Sequence, residues 1–191
     1  MNVKSLKQQH RELFGEAMRA RQHYSIHNIL TNDVDVSRFR KVMEEYPEFF
    51  HLTIAAHLYT VVIRLGKLFD NKEVGVLRLL KGLKKSAGAE AVRPIEKKLQ
   101  AIAPRVAKII KVRHKALAHL SIHETSTEVF KAAGITDDDL NILTRESLEI
   151  LGDIGPLVDG ITMVEFDPAE NSTRALLTQL KAVLEPSEVS S

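Results

Sequence analysis

The sequence predicts an all-α fold, an antiparallel bundle of about five main helices with additional short ones. Apolar residues recur every three or four positions over long stretches, and the strict alternation of a half-buried strand is nearly absent. The chain has 191 residues, which suits one domain with a substantial core. We therefore expect a single domain over residues 1–185 and a disordered tail over residues 186–191.

The first half of the chain predicts three helices. Periodicity favours one over residues 3–24, followed by a turn rich in Asn and Asp at 31–35. Ser37 is suited to cap a short helix that ends at residue 45, and a proline fits the first turn of the next helix, 47–70. This third helix is apolar almost all round, so we expect it to form the centre of the core.

The second half predicts a short helix over residues 74–85, which ends at the Ser-Ala-Gly break at 86–88. Two prolines, Pro94 and Pro104, predict that the following stretch divides into helices 89–101 and 104–120, because an internal proline removes a backbone hydrogen bond.

Two more helices complete the prediction. Thr136 and three following aspartates are typical of an N-cap and an acidic first turn, so these acids interact with the helix dipole and are not expected to bind metal. This helix should reach residue 151, where two glycines and Pro156 are expected to end it. A last helix should begin near residue 168 or 172 and reach residue 185.

Composition excludes several classes of protein and site. Hydrophobic residues make up 44% of the chain and charged residues 27%, as in ordinary globular proteins. There is no cysteine, which excludes disulfides, thiolate nucleophiles and Cys-based metal sites. The charged N-terminus lacks the apolar stretch of a signal peptide, and charges interrupt the apolar segment 52–69, so we expect a cytoplasmic protein without a membrane partner.

Charge is segregated along the chain. Residues 78–115 contain 12 basic and 2 acidic residues, whereas residues 116–191 contain 4 basic and 14 acidic ones. The basic block either forms a surface that attracts phosphate groups or pairs with the acidic third of the chain. Under the first interpretation Lys108, Lys111 and Lys115 are candidate phosphate-binding residues.

Arg113 has an unusual position on its predicted helix. At about 100° per residue, Arg113 falls at the centre of an apolar stripe. The stripe consists of Val106, Ile109, Ile110, Ala116, Leu117 and Leu120. A guanidinium at such a position either pairs with a carboxylate, with Asp70 or an acid of the last helices as the partner, or faces a polar cleft or interface.

His119 follows six residues after Arg113, about 120° further round the helix and about 9 Å further along it. The two side chains therefore diverge within one chain. A two-fold axis beside the helix would bring both residues of each subunit together, which predicts a site shared between two subunits. The other interpretation of a histidine near a helix C-terminus is an interaction with the helix dipole.

The segment RHKALAH, from Arg113 to His119, resembles the Arg-polar-x4-His signature of HEPN domains. Together with the core-helix segment HLTIAAHLYTVVIRLGKLFD at 51–70, it is similar to the abortive-infection AbiU-like branch of that superfamily. The likeness covers residues 40–125, and the last 65 residues contribute nothing to it.

The resemblance implies a homodimeric helical bundle that acts as a metal-independent endoribonuclease, as a toxin or phage-defence effector. His119 would exchange protons with the RNA oxygens and Arg113 would bind the scissile phosphate. Asp70, His114 and Lys115 are supporting residues. The expected partners are RNA, a second copy and an antitoxin or regulatory protein, with no cofactor. The alternative is a catalytically inactive HEPN-like module that binds RNA, a nucleotide or a protein.

The remaining histidines offer few other sites. His119 and His123 have the spacing of a helical zinc pair, but no acidic partner accompanies them, so no metal site is predicted. His57 lies on the apolar side of the central helix, where a hydrogen-bonded core histidine is expected. His10, His23 and His27 are predicted to lie on the surface.

Overall fold

The computed structural model describes residues 5–70, 75–118, 126–158 and 168–185, with side chains for all of these except 115–118 and 126–129. All nine elements in these ranges are α-helices, which confirms the predicted fold class. The helices are α1 (Leu6–Thr31), α2 (Asp33–Arg38), α3 (Arg40–Glu45), α4 (Pro47–Phe69), α5 (Val76–Ala87), α6 (Ala89–Ala118), α7 (Ser126–Ala133), α8 (Asp137–Val158) and α9 (Ala169–Leu184).

The main core lies between the long helices α1, α4, α6 and α8, and α5 closes one side of it. Its fully buried members include Ala17, Leu65, Leu83, Ile109 and Leu143. A second, smaller cluster joins the end of α1, Phe39 between α2 and α3, helix α3, the start of α4 and the inner face of α9. Leu68 and Phe69 at the end of α4, and Ile109 and Val112 on α6, therefore belong to the main core, whereas Leu177 of α9 belongs to the second cluster.

The central helix α4 begins at Pro47 as predicted and packs most extensively against α1. Among the described helices, it is the one that is long and apolar enough to cross a membrane by length and composition, and 33% of its most apolar window is buried. Its outward side retains a row of exposed apolar residues, Phe49, Leu52, Ala56 and Ile63.

Residues 89–118 form one helix, so the prediction that Pro94 and Pro104 divide this stretch into two helices is wrong. Both prolines lie on the exposed side. The carbonyl groups that they leave without an intrahelical donor therefore face solvent, while Val92, Ile102 and Ile109 extend one buried side past both prolines.

Two other predicted ends are also wrong. Helix α1 continues to Thr31 because Ile29 and Leu30 bury their side chains in the second cluster. Helix α8 continues through its glycines and Pro156 to Val158, because the fully buried Leu151 and Ile154 favour the helix by more than the glycines disfavour it.

The predicted caps had mixed outcomes. Ser37 lies inside α2, and the cap of that helix is Asn32, whose side chain accepts a hydrogen bond from the amide of Asp35 at 2.9 Å. Thr136 caps α8 as predicted: its hydroxyl accepts from the amide of Asp139 at 3.1 Å, and the carboxylate of Asp139 accepts from the amide of Thr136 at 3.2 Å. This reciprocal arrangement is a capping box.

Candidate active site

Arg113 and Asp70 form an ion pair where α6 crosses the end of α4. Nη1 of Arg113 donates to Oδ2 of Asp70 at 2.6 Å and to the backbone carbonyl of Gly66 at 3.3 Å. The side chains are 21% and 19% exposed, so the pair lies at the rim of the core. This pair agrees with the prediction that Arg113 pairs with a carboxylate, for which Asp70 is one of the predicted partners.

Gly66 makes this crossing possible. A Cβ atom built on Gly66 would lie 2.3 Å from Cδ of Arg113, a distance that any larger residue would have to relieve by moving the arginine. The arginine stem thus lies directly over the backbone of α4. Sequence reasoning did not select Gly66, although a glycine inside an otherwise apolar core helix is a signal of close approach.

Burial on α6 places Arg113 at the edge of the buried stripe. Ile109 and Val112 are fully buried, whereas Val106 and Ile110 are only partly covered. The latter two line an open, mainly apolar groove of about 580 Å³ that also includes Phe69 and Leu77. Arg113 therefore lies between the core and an apolar surface.

The hydrogen-bond donors of Arg113 are only partly used. Among the described residues, Asp70 and Gly66 are its side-chain partners, and both contact Nη1. Nε and Nη2 therefore have donors available for an oxygen-rich ligand at the rim. A guanidinium can bind a phosphate through two parallel hydrogen bonds, which suits this arrangement to a phosphodiester.

The other predicted site residues are more dispersed. His114 and Lys111 are exposed on the last turns of α6 that have described side chains. The side chain of Lys115, and all of His119 and His123, lie outside the described residues. The structure consequently describes the arginine of the predicted pair and leaves the histidine undescribed.

Lys108 takes part in a separate ion pair. Its Nζ lies 2.8 Å from Oδ2 of Asp139, while Nε of Arg105 lies 3.1 Å from Oδ1. Burial alone would raise the pKa of Asp139, but hydrogen bonds from Lys108 and Thr136 outweigh it and lower the pKa. Here the basic block pairs with the acidic third of the chain, the second interpretation of the charge segregation.

The histidines of α1 are more buried than predicted. His10 is 1% exposed, with Nε2 2.7 Å from the carbonyl of Leu151, and His27 is also buried, so the surface prediction is wrong for both. His57 is hydrogen-bonded through Nδ1 to Nδ1 of the half-buried His23 at 2.8 Å. Burial lowers the pKa of both rings, and in the described part of the chain no three metal-ligating side chains cluster.

The HEPN_AbiU2 family model matches residues 4–179. The match extends well beyond the 40–125 segment that carried the resemblance, into α8 and α9. Neither a curated protein nor a solved structure matches the chain. Because the family model covers nearly the whole chain, this protein belongs to the AbiU2 family, an abortive-infection-associated branch of the HEPN superfamily.

Proposed function

We propose that this protein is a metal-independent endoribonuclease that acts as a toxin or phage-defence effector. The observation that carries the proposal is the position of Arg113 in a HEPN chain: its Nη1 is fixed by Asp70 at the rim of the core, and Nε and Nη2 have no partner among the described residues. Asp70 thus orients the guanidinium through Nη1, while Nε and Nη2 remain available to a ligand.

The chemistry requires one base, one acid and a cation at the phosphate. An imidazole, with an ordinary pKa of about 6.5, can take the proton of the RNA 2′-hydroxyl, whose oxygen attacks the adjacent phosphorus. The bond to the 5′-oxygen breaks, and a second imidazole protonates that leaving oxygen. The products are a 2′,3′-cyclic phosphate and a 5′-hydroxyl, and no metal is needed.

The roles follow from the residue types. His119 of each subunit supplies the base or the acid, and Arg113 binds a non-bridging oxygen and stabilises the charge that develops on it. Asp70 positions Arg113, while His114 and Lys115 support the site from the same turns of α6. Lys111 contributes to RNA binding, whereas Lys108 is held by Asp139.

A homodimer would assemble the shared site. Two apolar surfaces are exposed on the helices that carry the Arg113–Asp70 pair: the groove that Val106 and Ile110 line, and the α4 row that runs from Phe49 to Ile63 and ends about two turns before Asp70. Apolar area of this kind is typical of surfaces that a partner covers. We propose that a second copy covers at least one of them, so that both arginines approach the two-fold axis.

Incubation of the purified protein with tRNA in EDTA tests the nuclease proposal. We expect cleavage that leaves cyclic phosphate ends and that is lost in both Arg113→Ala and His119→Ala. Circular dichroism of the variants serves as the folding control. Cleavage that survives either substitution, or that requires a divalent metal, contradicts the proposal.

Light scattering tests the dimer separately. Leu77→Lys places a charge in the groove, and Leu52→Lys places one in the α4 row; both side chains are about half exposed or more, so the monomer should tolerate each change. We expect at least one variant to be monomeric and to lose cleavage. A wild-type protein that is monomeric at micromolar concentration contradicts the shared site.

The second candidate function is a catalytically inactive HEPN-like module that binds RNA, a nucleotide or a protein. The 2.6 Å contact between Arg113 and Asp70 favours it, because an ion pair of that kind can serve structure alone. RNA binding without cleavage, retained in His119→Ala, would support this function. If the pair is only structural, Arg113→Ala should unfold the protein.

A further inference from the structure

We propose that three basic residues on α5, Arg78, Lys81 and Lys85, form a track that binds the backbone phosphates of the RNA. This inference rests on the proposed function, and it assigns RNA binding to a different helix from α6, which carries Lys108, Lys111 and Lys115. We call these three residues the α5 row.

The α5 row is a single stripe on the solvent side of the helix. Spacings of three and four residues place the three side chains within about 60° of one another. The opposite side of α5 carries Val76, Leu79, Leu80 and Leu83, which are at most 2% exposed. The position of the row is therefore fixed by the packing of α5 against the core.

None of the three basic side chains has an acidic partner among the described residues. The neighbouring lysine behaves differently: Nζ of Lys84, on another side of the helix, lies 2.6 Å from Oε1 of Glu96. Lys108 on α6 is likewise paired, with Asp139. The α5 row thus retains its positive charge, whereas half of the basic block, Lys84, Arg93, Lys98, Arg105, Lys108 and Arg113, forms ion pairs.

The row borders a concave surface. Arg78, Lys81 and Lys85 line a cleft of about 510 Å³ together with Ser5, Leu6 and Gln9 at the start of α1. The two helices are close here, since a Cβ atom built on Gly82 would lie 2.5 Å from Cδ2 of Leu6. Among the described residues that line the cleft none is acidic, so an anion that enters it meets neutral and basic groups there.

The α5 row begins beside the candidate active site. Gly75, which precedes α5, packs against the backbone of Asp70: a Cβ atom on Gly75 would lie 2.5 Å from the Asp70 carbonyl oxygen. Arg78 follows within one turn, and its amide donates to the Gly75 carbonyl at 3.1 Å. From there the row extends about 10 Å along α5, away from the residue that holds Arg113.

A membrane surface fits this row less well than RNA does. A basic amphipathic helix binds a bilayer by inserting its apolar side, but the apolar side of α5 is already buried in the core. A nucleic acid requires no apolar insertion, and its regularly spaced phosphates match a row of separate cations. The observations therefore favour RNA.

Salt-dependent RNA binding tests the row. The probe is a short fluorescein-labelled single-stranded RNA with 2′-O-methyl groups, which lacks the attacking hydroxyl and so stays intact. In Arg78→Ala/Lys81→Ala/Lys85→Ala we expect at least a tenfold weaker affinity at about 0.1 M NaCl. The slope of log K against log salt should fall by about 2, since each lost phosphate contact on a single strand contributes about 0.7.

The control variant is Arg38→Ala/Arg40→Ala/Lys41→Ala, which also removes three positive charges. These residues precede the start of α4, whereas the α5 row follows the end of α4. The 23 residues of α4 span about 34 Å between the two regions. It should keep nearly the wild-type slope. An unchanged slope in the α5 variant, or an equal loss of RNA affinity in both variants, overturns the proposal that the α5 row binds RNA. Loss of binding to phosphatidylserine vesicles with RNA binding intact overturns it as well.

The outcomes separate this inference from the proposed function. If wild-type protein cleaves RNA in EDTA and the α5 variant binds and cleaves equally well, the row is wrong and the nuclease stands. If the α5 variant loses RNA binding while wild-type protein never cleaves, the row stands and the nuclease proposal fails.

Discussion

Arg174–Asp35 and Arg113–Asp70 are two of the arginine–aspartate pairs that join described parts of the chain, and they use the guanidinium differently. Arg174 on α9 contacts Asp35 through Nε at 3.1 Å and Nη2 at 2.9 Å, while its Nη1 donates to Glu170. Arg113 on α6 contacts Asp70 through Nη1 alone. All three guanidinium nitrogens of Arg174 donate hydrogen bonds, whereas only Nη1 of Arg113 donates to a described residue.

The carboxylates differ in the same way. Asp35 is 5% exposed, also accepts from Nδ2 of Asn32 at 2.9 Å, and forms part of the cap of α2. Asp70 is more exposed, at the point where α4 ends. The comparison suggests a criterion. In a structural arginine all guanidinium nitrogens donate hydrogen bonds within the protein, whereas an arginine that binds a ligand retains N–H groups without a protein acceptor.

Arg113→Lys should have the largest effect of the variants that test this comparison. A lysine keeps the charge but lacks the planar fork, so we expect RNA cleavage to fall by about 100-fold, the loss typical of a missing donor at a developing oxyanion. Arg174→Lys should leave cleavage within about twofold of wild type. Single-turnover cleavage rates measure both, and equal losses would remove the distinction.

Gly66→Ala should impair the site without changing any charged group. Its Cβ would lie 2.3 Å from Cδ of Arg113, so the arginine must move away from Asp70. We expect cleavage to fall by about tenfold, with a loss of unfolding free energy of about 1–2 kcal/mol from overpacking.

Gly15→Ala is the matched control, because the nearest atom to its Cβ is Nη2 of Arg19 at 3.9 Å. An alanine there should stabilise α1 slightly, by about 0.5 kcal/mol, and leave cleavage unchanged. Full activity in Gly66→Ala would show that the position of Arg113 over α4 is unimportant.

Arg174→Ala should lower stability and spare activity. It leaves the buried carboxylate of Asp35 with Nδ2 of Asn32 as its side-chain donor among the described residues, which we expect to cost about 2 kcal/mol of unfolding free energy. Urea denaturation measures the loss, and cleavage measured well below the midpoint should match wild type. Lost activity in the folded variant would contradict a purely structural role.

Some of these features could be predicted from the sequence and others could not, for physical reasons. Helical periodicity and the Thr136 cap are local signals, and they predicted the fold class and the start of α8 correctly. Helix ends depend on partners distant in sequence: Ile29 extends α1 because of α9, and Pro94 is tolerated because its side of α6 faces solvent. Local helix propensity predicts neither the extension of α1 nor the tolerance of Pro94.

The candidate site shows the same division. The Arg113–Asp70 pairing could be anticipated, since an arginine beside an apolar stripe requires a carboxylate. The Lys108–Asp139 pair could not be chosen among the acids of the last third, because the contact depends on how α6 and α8 pack. The contact between Gly66 and Arg113 likewise exists only once α4 and α6 cross.

The smallest expected effect is the pH dependence of the Arg174–Asp35 pair. Hydrogen bonding to Arg174 lowers the pKa of Asp35 below its ordinary value of 3.8, although burial opposes this. A carboxyl group with a lowered folded-state pKa stabilises the fold above the unfolded pKa, and this contribution disappears as pH falls through the folded pKa. The free-energy difference between wild type and Arg174→Ala should therefore be constant near neutral pH and shrink below pH 3.8. Urea midpoints measured over that range test this. A difference that persists in acid would show that Arg174 acts through packing of its stem and not through its charge, which would weaken the contrast with Arg113.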